Sequence, residues 1–185
     1  MLLTLLVNSS TVNAQSNNEH EVFNFLVIHQ TPETHAIYHE TYSKEKIMSY
    51  LETDFTLDQV TFVLEPSEKL ERNFSSSTFK HILSGLDAYK TMTVSDSTAF
   101  NNSIVTESEI PDFIKNGEPP PFERDSSFTN VQFFSTPLIN EGKAITLSHS
   151  YSDEIPGVII HFMVKTNNEW EYLGEGIILE KSLRK

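Results

Sequence analysis

From Val131 onward the apolar residues recur at every second position, and the alternation repeats four times. A period of two is the signature of strands that bury one face. It predicts strands over 131–137, 143–151, 158–165 and 170–179. Asn140-Glu141-Gly142 and Thr166-Asn167-Asn168-Glu169 separate them, and both are turn chemistry for tight hairpins. The remaining connection, 152–157, is longer and acidic. Strands that follow one another through short turns form an antiparallel meander, so this third of the chain has few folds open to it.

The first half keeps a different period. Val22, Phe23, Leu26 and Val27 share a helical face, predicting a helix over 19–30 that Pro32 ends. Residues 34–42 are rich in β-branched and aromatic types and read as a strand. A second helix is expected over 44–51, capped by Ser43, with Ile47, Met48 and Leu51 inward. Phe79, Ile82, Leu83 and Leu86 mark a third over 77–87, preceded by a serine run. A short fourth is expected over 107–115, with Ser108 as its cap and Pro111 in its first turn. Residues 58–64 alternate but are too few to assign. Gly117-Glu118-Pro119-Pro120-Pro121-Phe122 is a stiff connector. Helices first and strands second make an α+β domain, with the N-terminal helices packed on one face of a curved antiparallel sheet that ends in the four-stranded meander.

Met1-Leu2-Leu3-Thr4-Leu5-Leu6-Val7 is apolar, and Val12-Asn13-Ala14 has the spacing of a signal-peptidase site. We expect a signal peptide over 1–14, short of a basic start, and a single domain over 15–185. The expected location is outside the cytoplasm, secreted or periplasmic. No later segment has the roughly 20 apolar residues of a membrane span.

Asp and Glu number 26 against 13 Lys and Arg, a formal net charge of −13. That excess argues against a nucleic-acid partner, which needs a basic face for its phosphates. It favours a basic protein or a cationic small molecule. The chain has no Cys, so thiolate nucleophiles and Cys-ligated zinc are excluded.

His149 and His161 fall on neighbouring strands of the meander. With Asp153 or Glu154 as an orienting carboxylate they are the candidate acid–base residues, although both share faces with apolar neighbours. His35 and His39 also share a strand face, but stand about 13 Å apart at about 3.3 Å per residue, too far for one ion. Phe133, Phe134, Trp170 and Tyr172 are candidates for an aromatic platform, with core packing the default. No G-x-S-x-G elbow and no phosphate-cradling glycine loop occur. No metal or cofactor is therefore expected.

Phe134-Ser135-x-Pro137-Leu138-Ile139-Asn140, Lys143-Ala144, Ser148-His149, Gly157 and Lys165-x-Asn167-x-x-Trp170 follow in order. This pattern, over roughly 131–175, resembles a module of exported proteins of Bacteroidetes-type bacteria. The resemblance implies export and a curved antiparallel sheet, and it carries no catalytic residue across. The Cys pair often found in that module's connection is replaced here by Asp153-Glu154-Ile155-Pro156-Gly157. The functional expectation is an exported binding or interaction domain without enzymatic activity. A small hydrolase built on His149, His161 and Asp153 is the alternative, and a structural or adhesion domain of the envelope is a third reading.

Overall fold

The computed structural model describes residues 3–51, 55–62, 64–94, 101–116, 128–151 and 157–179, with side chains from Asn17 onward. The connector over 117–122 and the candidate residues Asp153 and Glu154 lie outside the described residues.

Helix α1 runs Leu3–Gln30, and Val22, Phe23, Leu26 and Val27 form its buried stripe. Pro32 has no N–H and disfavours helical geometry at Thr31, so the helix stops there. Strand β1, His35–Tyr38, follows, shorter than the expected 34–42. Helix α2, Lys44–Tyr50, is capped as expected: Ser43 Oγ accepts from the Lys46 N–H at 3.3 Å. A 3-10 turn, Leu57–Gln59, leads into β2, Thr61–Phe62, which resolves the ambiguous stretch. Helices α3, Glu68–Asn73, and α4, Ser76–Leu83, come next. Ser75 caps α4, and Gly85 lies in a 3-10 turn, Ser84–Ala88, that replaces its last turn.

The expected helix over 107–115 is two pieces. Strand β3, Ile104–Val105, is followed by a 3-10 turn, Glu107–Glu109, capped by Thr106 rather than Ser108. Pro111 is then the N-cap of α5, Asp112–Lys115, and its extended backbone separates the two.

The second half matches its alternation. The strands are β4 Asn130–Phe134, β5 Leu138–Asn140, β6 Lys143–Ser150, β7 Gly157–Thr166 and β8 Glu169–Leu179. β4, β6, β7 and β8 are consecutive antiparallel neighbours. The hairpin turns use the left-handed backbone their residues allow. Glu141 and Gly142 have φ of 47° and 71°, and Asn167 and Asn168 have 53° and 69°. Between β4 and β5, where Pro137 interrupts the ladder, Ser135 takes over. Its backbone N–H donates to Leu147 O, and its Oγ accepts from the Leu147 N–H, each at 2.8 Å.

Two expectations are corrected. The sheet is mixed, not antiparallel. Its order is β2-β8-β7-β6-β4-β1-β3, with β5 beside β6, and β1 is parallel to both β3 and β4. Parallel pairing needs a long crossover, and the chain from 39 to 103, with α2, α3 and α4, supplies one. The helices also cover both faces rather than one. α1 packs against Ile37, Phe134, Ala144 and Met163. α2, α3 and α4 pack on the other face, against Ile145, Leu147, Ile160 and Phe162.

Candidate functional site

Register decides which predicted residues meet. Thr146 on β6 pairs with His161 on β7, and Leu147 pairs with Ile160. Directly paired residues share a face, and the next ones along point the other way. His161 therefore lies on the α1 face with Thr146, Ser148 and Met163. His149 lies on the opposite face with Ile145 and Leu147. The expected His149–His161 pair is not formed: adjacent strands are not enough when the register sets the two rings on opposite faces. His149 instead stacks on Phe133, with ring centroids 5.0 Å apart, and hydrogen-bonds the Tyr42 hydroxyl. The aromatic platform is divided in the same way. Phe134, Trp170 and Tyr172 belong to the α1 side, whereas Phe133 packs with the clusters on the other face.

His161 has other partners. Its Nε2 is 2.7 Å from Ser148 Oγ, and its Nδ1 is 3.1 Å from the Tyr172 hydroxyl. That hydroxyl donates to Glu175 Oε2 at 2.8 Å, and the same carboxylate oxygen is 3.6 Å from Nδ1. The result is a chain Ser148–His161–Tyr172–Glu175 across three strands.

A bulge makes the chain possible. Phe162 pairs with Gly174 and Met163 with Tyr172, so Leu173 is an extra residue in β8. In a regular strand, positions 172 and 175 point to opposite faces. The inserted residue turns both onto the α1 face, the re-aiming that bulges perform. Gly174, at φ 147°, supplies backbone geometry that side chains rarely adopt.

The proton positions follow from the partners. Tyr172 has one hydroxyl proton, and the carboxylate is its strongest acceptor. Its oxygen can then only accept, so Nδ1 of His161 carries the ring proton. Nε2 is left as the acceptor for the Ser148 hydroxyl. Burial lowers the His161 pKa to about 3, which holds the ring neutral. Burial, then the hydrogen bond and charge of Glu175, raise the Tyr172 pKa, which keeps its proton in place.

Ser148, His161 and Glu175 of this chain form part of the wall of a cavity of about 300 Å³ at the C-terminal end of α1. Gln30, His35, Gln132 and Ser150 also line it. The Nδ1 of His35 is buried with no hydrogen-bond partner among the described residues. Glu175 is 39 % exposed, so its carboxylate remains reachable from outside. Such a wall can hold a small polar molecule through neutral donors and acceptors and one carboxylate. Among the described residues, no three His, Asp or Glu side chains converge as a metal-binding group. Comparison of the chain with family models, curated proteins and solved structures finds no match.

Sequence reasoning reaches His161 and passes over Ser148 and Glu175, and it takes Tyr172 only as an aromatic surface. A signal was present: Gly174 and Gly176 interrupt an alternating strand, which marks a bulge or a close approach.

Proposed function

We propose that the chain is an exported, non-enzymatic domain that binds a small ligand in the cavity at the end of α1. One observation carries this reading. The sheet face beneath α1 holds a cavity into which a connected set of polar groups converges, and the His35 nitrogen in the same wall is buried without a partner. Concave sites with a few convergent polar groups are the usual form of ligand pockets. Export is supported by the apolar start and the Val12-Asn13-Ala14 spacing, and by the resemblance to exported proteins. The packed residues of α1, from Val22 to Val27, all follow Ala14, so cleavage there would spare them.

The test is thermal melting of the full chain against a panel of polar small molecules, amines, sugars and small acids. A ligand of the folded state at a hundredfold excess over its Kd stabilises by about 2.7 kcal/mol. The expected result is a rise with one class that Ser148→Val reduces by taking the hydroxyl out of the cavity wall. A flat panel overturns the small-ligand reading in favour of a basic protein partner.

The hydrogen bond from Ser148 to His161 favours a second reading, a small hydrolase with Ser148 as nucleophile, His161 as base and Glu175 as the distal acid. Against it, Ser148 sits in mid-strand, paired with Phe134 on one side and Ile159 on the other. Its backbone groups serve the ladders, and an oxyanion needs donors aimed at it. Ester hydrolysis lost equally in Ser148→Ala and His161→Asn would establish the enzyme.

A further inference from the structure

We infer that the ligand is an amine on an apolar body, its cationic head at Glu175 and its apolar part in a second cavity beside β8. This inference rests on the binding reading above and names the chemistry of its ligand.

The second cavity, of about 360 Å³, exists because β2 is short. β2 pairs only with Gly176 and Ile177 of β8. Among the described residues, no strand covers the outer edge of β8 from Glu169 to Glu175. Leu64 to Ser67 and Leu70 of α3 cover that edge instead, and a space is left between them and the bulge. Its walls are mainly apolar: Phe62, Leu64, Pro66, Leu70 and Leu173. Leu64 is 81 % exposed, one of two large hydrophobic side chains so placed among the described residues. An apolar ligand would remove it from water.

The two cavities share Gln30 and Glu175 as wall residues. A molecule occupying the apolar cavity therefore presents its head to the half-exposed Glu175 carboxylate, with the polar cavity beyond.

Charge selects the head group. Among the described residues neither wall contains Lys or Arg, and Glu65 adds a second carboxylate to the apolar one. The lysines on adjoining elements are engaged elsewhere: Lys69 of α3 pairs with Glu171, and Lys165 of β7 with Glu21. A fatty acid would bring its carboxylate to two others with no cation among the described wall residues to receive it. An ammonium meets complementary charge at the site and in the −13 chain around it.

The experiment is isothermal titration of the full chain with hexylamine, hexanol and hexanoate at two salt concentrations. Hexylamine is expected to bind at least tenfold more tightly than hexanol, with the advantage reduced at high salt, and hexanoate more weakly than both. Glu175→Gln, whose amide oxygen can still accept from Tyr172, is expected to reduce hexylamine affinity at least tenfold and leave hexanol unchanged. Leu64→Ser is expected to weaken hexylamine and hexanol alike, and its exposure keeps that variant clear of any folding defect. Hexanol or hexanoate binding as tightly as hexylamine overturns the amine inference and leaves the binding reading standing. So does an amine whose affinity ignores Glu175→Gln. Silence from all three probes overturns the amine inference, and the binding reading falls with it only if the wider panel is also silent.

Discussion

The two faces of the sheet are built from alternate residues of the same strands, yet they solve different problems. On the α2–α4 side, Ile145, Leu147, Val158, Ile160 and Phe162 meet Ile47, Leu51, Leu70, Phe74 and Phe79 in one apolar cluster. On the α1 side, Thr146, Ser148, His161 and Glu175 stand in the corresponding positions, and apolar packing is concentrated around α1 itself. One face is a core. The other is a core at one end and a polar cavity at the other. A single helix with one buried stripe cannot cover the whole face, and the uncovered part carries the hydrogen-bonded chain.

The sharpest way to break this comparison is to damage the dry face alone. Phe162 is fully buried, with the Phe74 ring edge-on at 5.0 Å and Phe79 beyond. Phe162→Ala is expected to cost about 3–5 kcal/mol, measured by urea denaturation. The pH dependence described next is expected to persist, because the polar chain lies on the opposite face. A variant that loses both would show the faces to be one coupled unit.

Acid should act on the wet face. In the unfolded chain His161 takes up a proton near its ordinary value of 6.5, but in the fold only near 3. Between those values the unfolded state holds the extra proton. Stability is therefore complete above about pH 6.5 and falls as pH decreases towards 3. The slope from this group is up to roughly 1.4 kcal/mol per pH unit. Denaturation of the protein and of His161→Asn from pH 7 to 5 isolates it: the native chain should lose about 2 kcal/mol more than the variant. Equal slopes would mean that His161 takes up its proton as readily in the fold as in the unfolded chain, so that the ring is not held neutral by burial.

These differences bear on what the sequence discloses. The strands of the second half were legible because each alternates and each hairpin turn has residues suited to positive φ. Helices α2 and α4 were legible from Ser43 and Ser75 before an apolar stripe. The parallel pairing of β1 was not, because four residues, His35–Tyr38, look the same in either direction and the crossover that sets it is long. The His149–His161 pairing failed for a related reason. Alternation gives the face of each residue within its own strand, but only the register relates the faces of two strands. The connection between β6 and β7 is too long to fix that register by turn type. Glu175 was hidden by the bulge, since counting by twos from Tyr172 sends it to the wrong face.

The bulge itself can be tested. A Cβ on Gly174 would stand 3.3 Å from Leu70 Cδ1, at a φ that side chains rarely adopt. Gly174→Ala is expected to cost about 1–2 kcal/mol, within the range for strained backbone. It should also disturb the Tyr172–Glu175 hydrogen bond and with it the ligand site. Leu70→Ala relieves the contact but not the backbone, and it leaves a cavity of its own, so the double variant is compared with Leu70→Ala alone: a further penalty there belongs to the bulge.

The smallest effect expected concerns what holds α1 over its face. Lys165 Nζ donates to Glu21 on α1 at 2.8 Å and lies 5.5 Å from the centroid of the Trp170 ring. The hydrogen bond from Lys165 is the leading reason the Glu21 carboxyl titrates below its usual range. Glu21 is more than half exposed, so water and salt screen the pair. Lys165→Met keeps the aliphatic contact with Trp170 and removes the charge. It is expected to cost under about 1 kcal/mol at low salt, and less in molar salt. The apolar stripe from Val22 to Val27 then remains the main attachment of α1, and ligand affinity should be unchanged. A larger loss, or a weakened ligand, would mean that the ion pair sets the position of Gln30 at the far end of the helix. The two faces would then differ in how their helices are held as well as in what they cover.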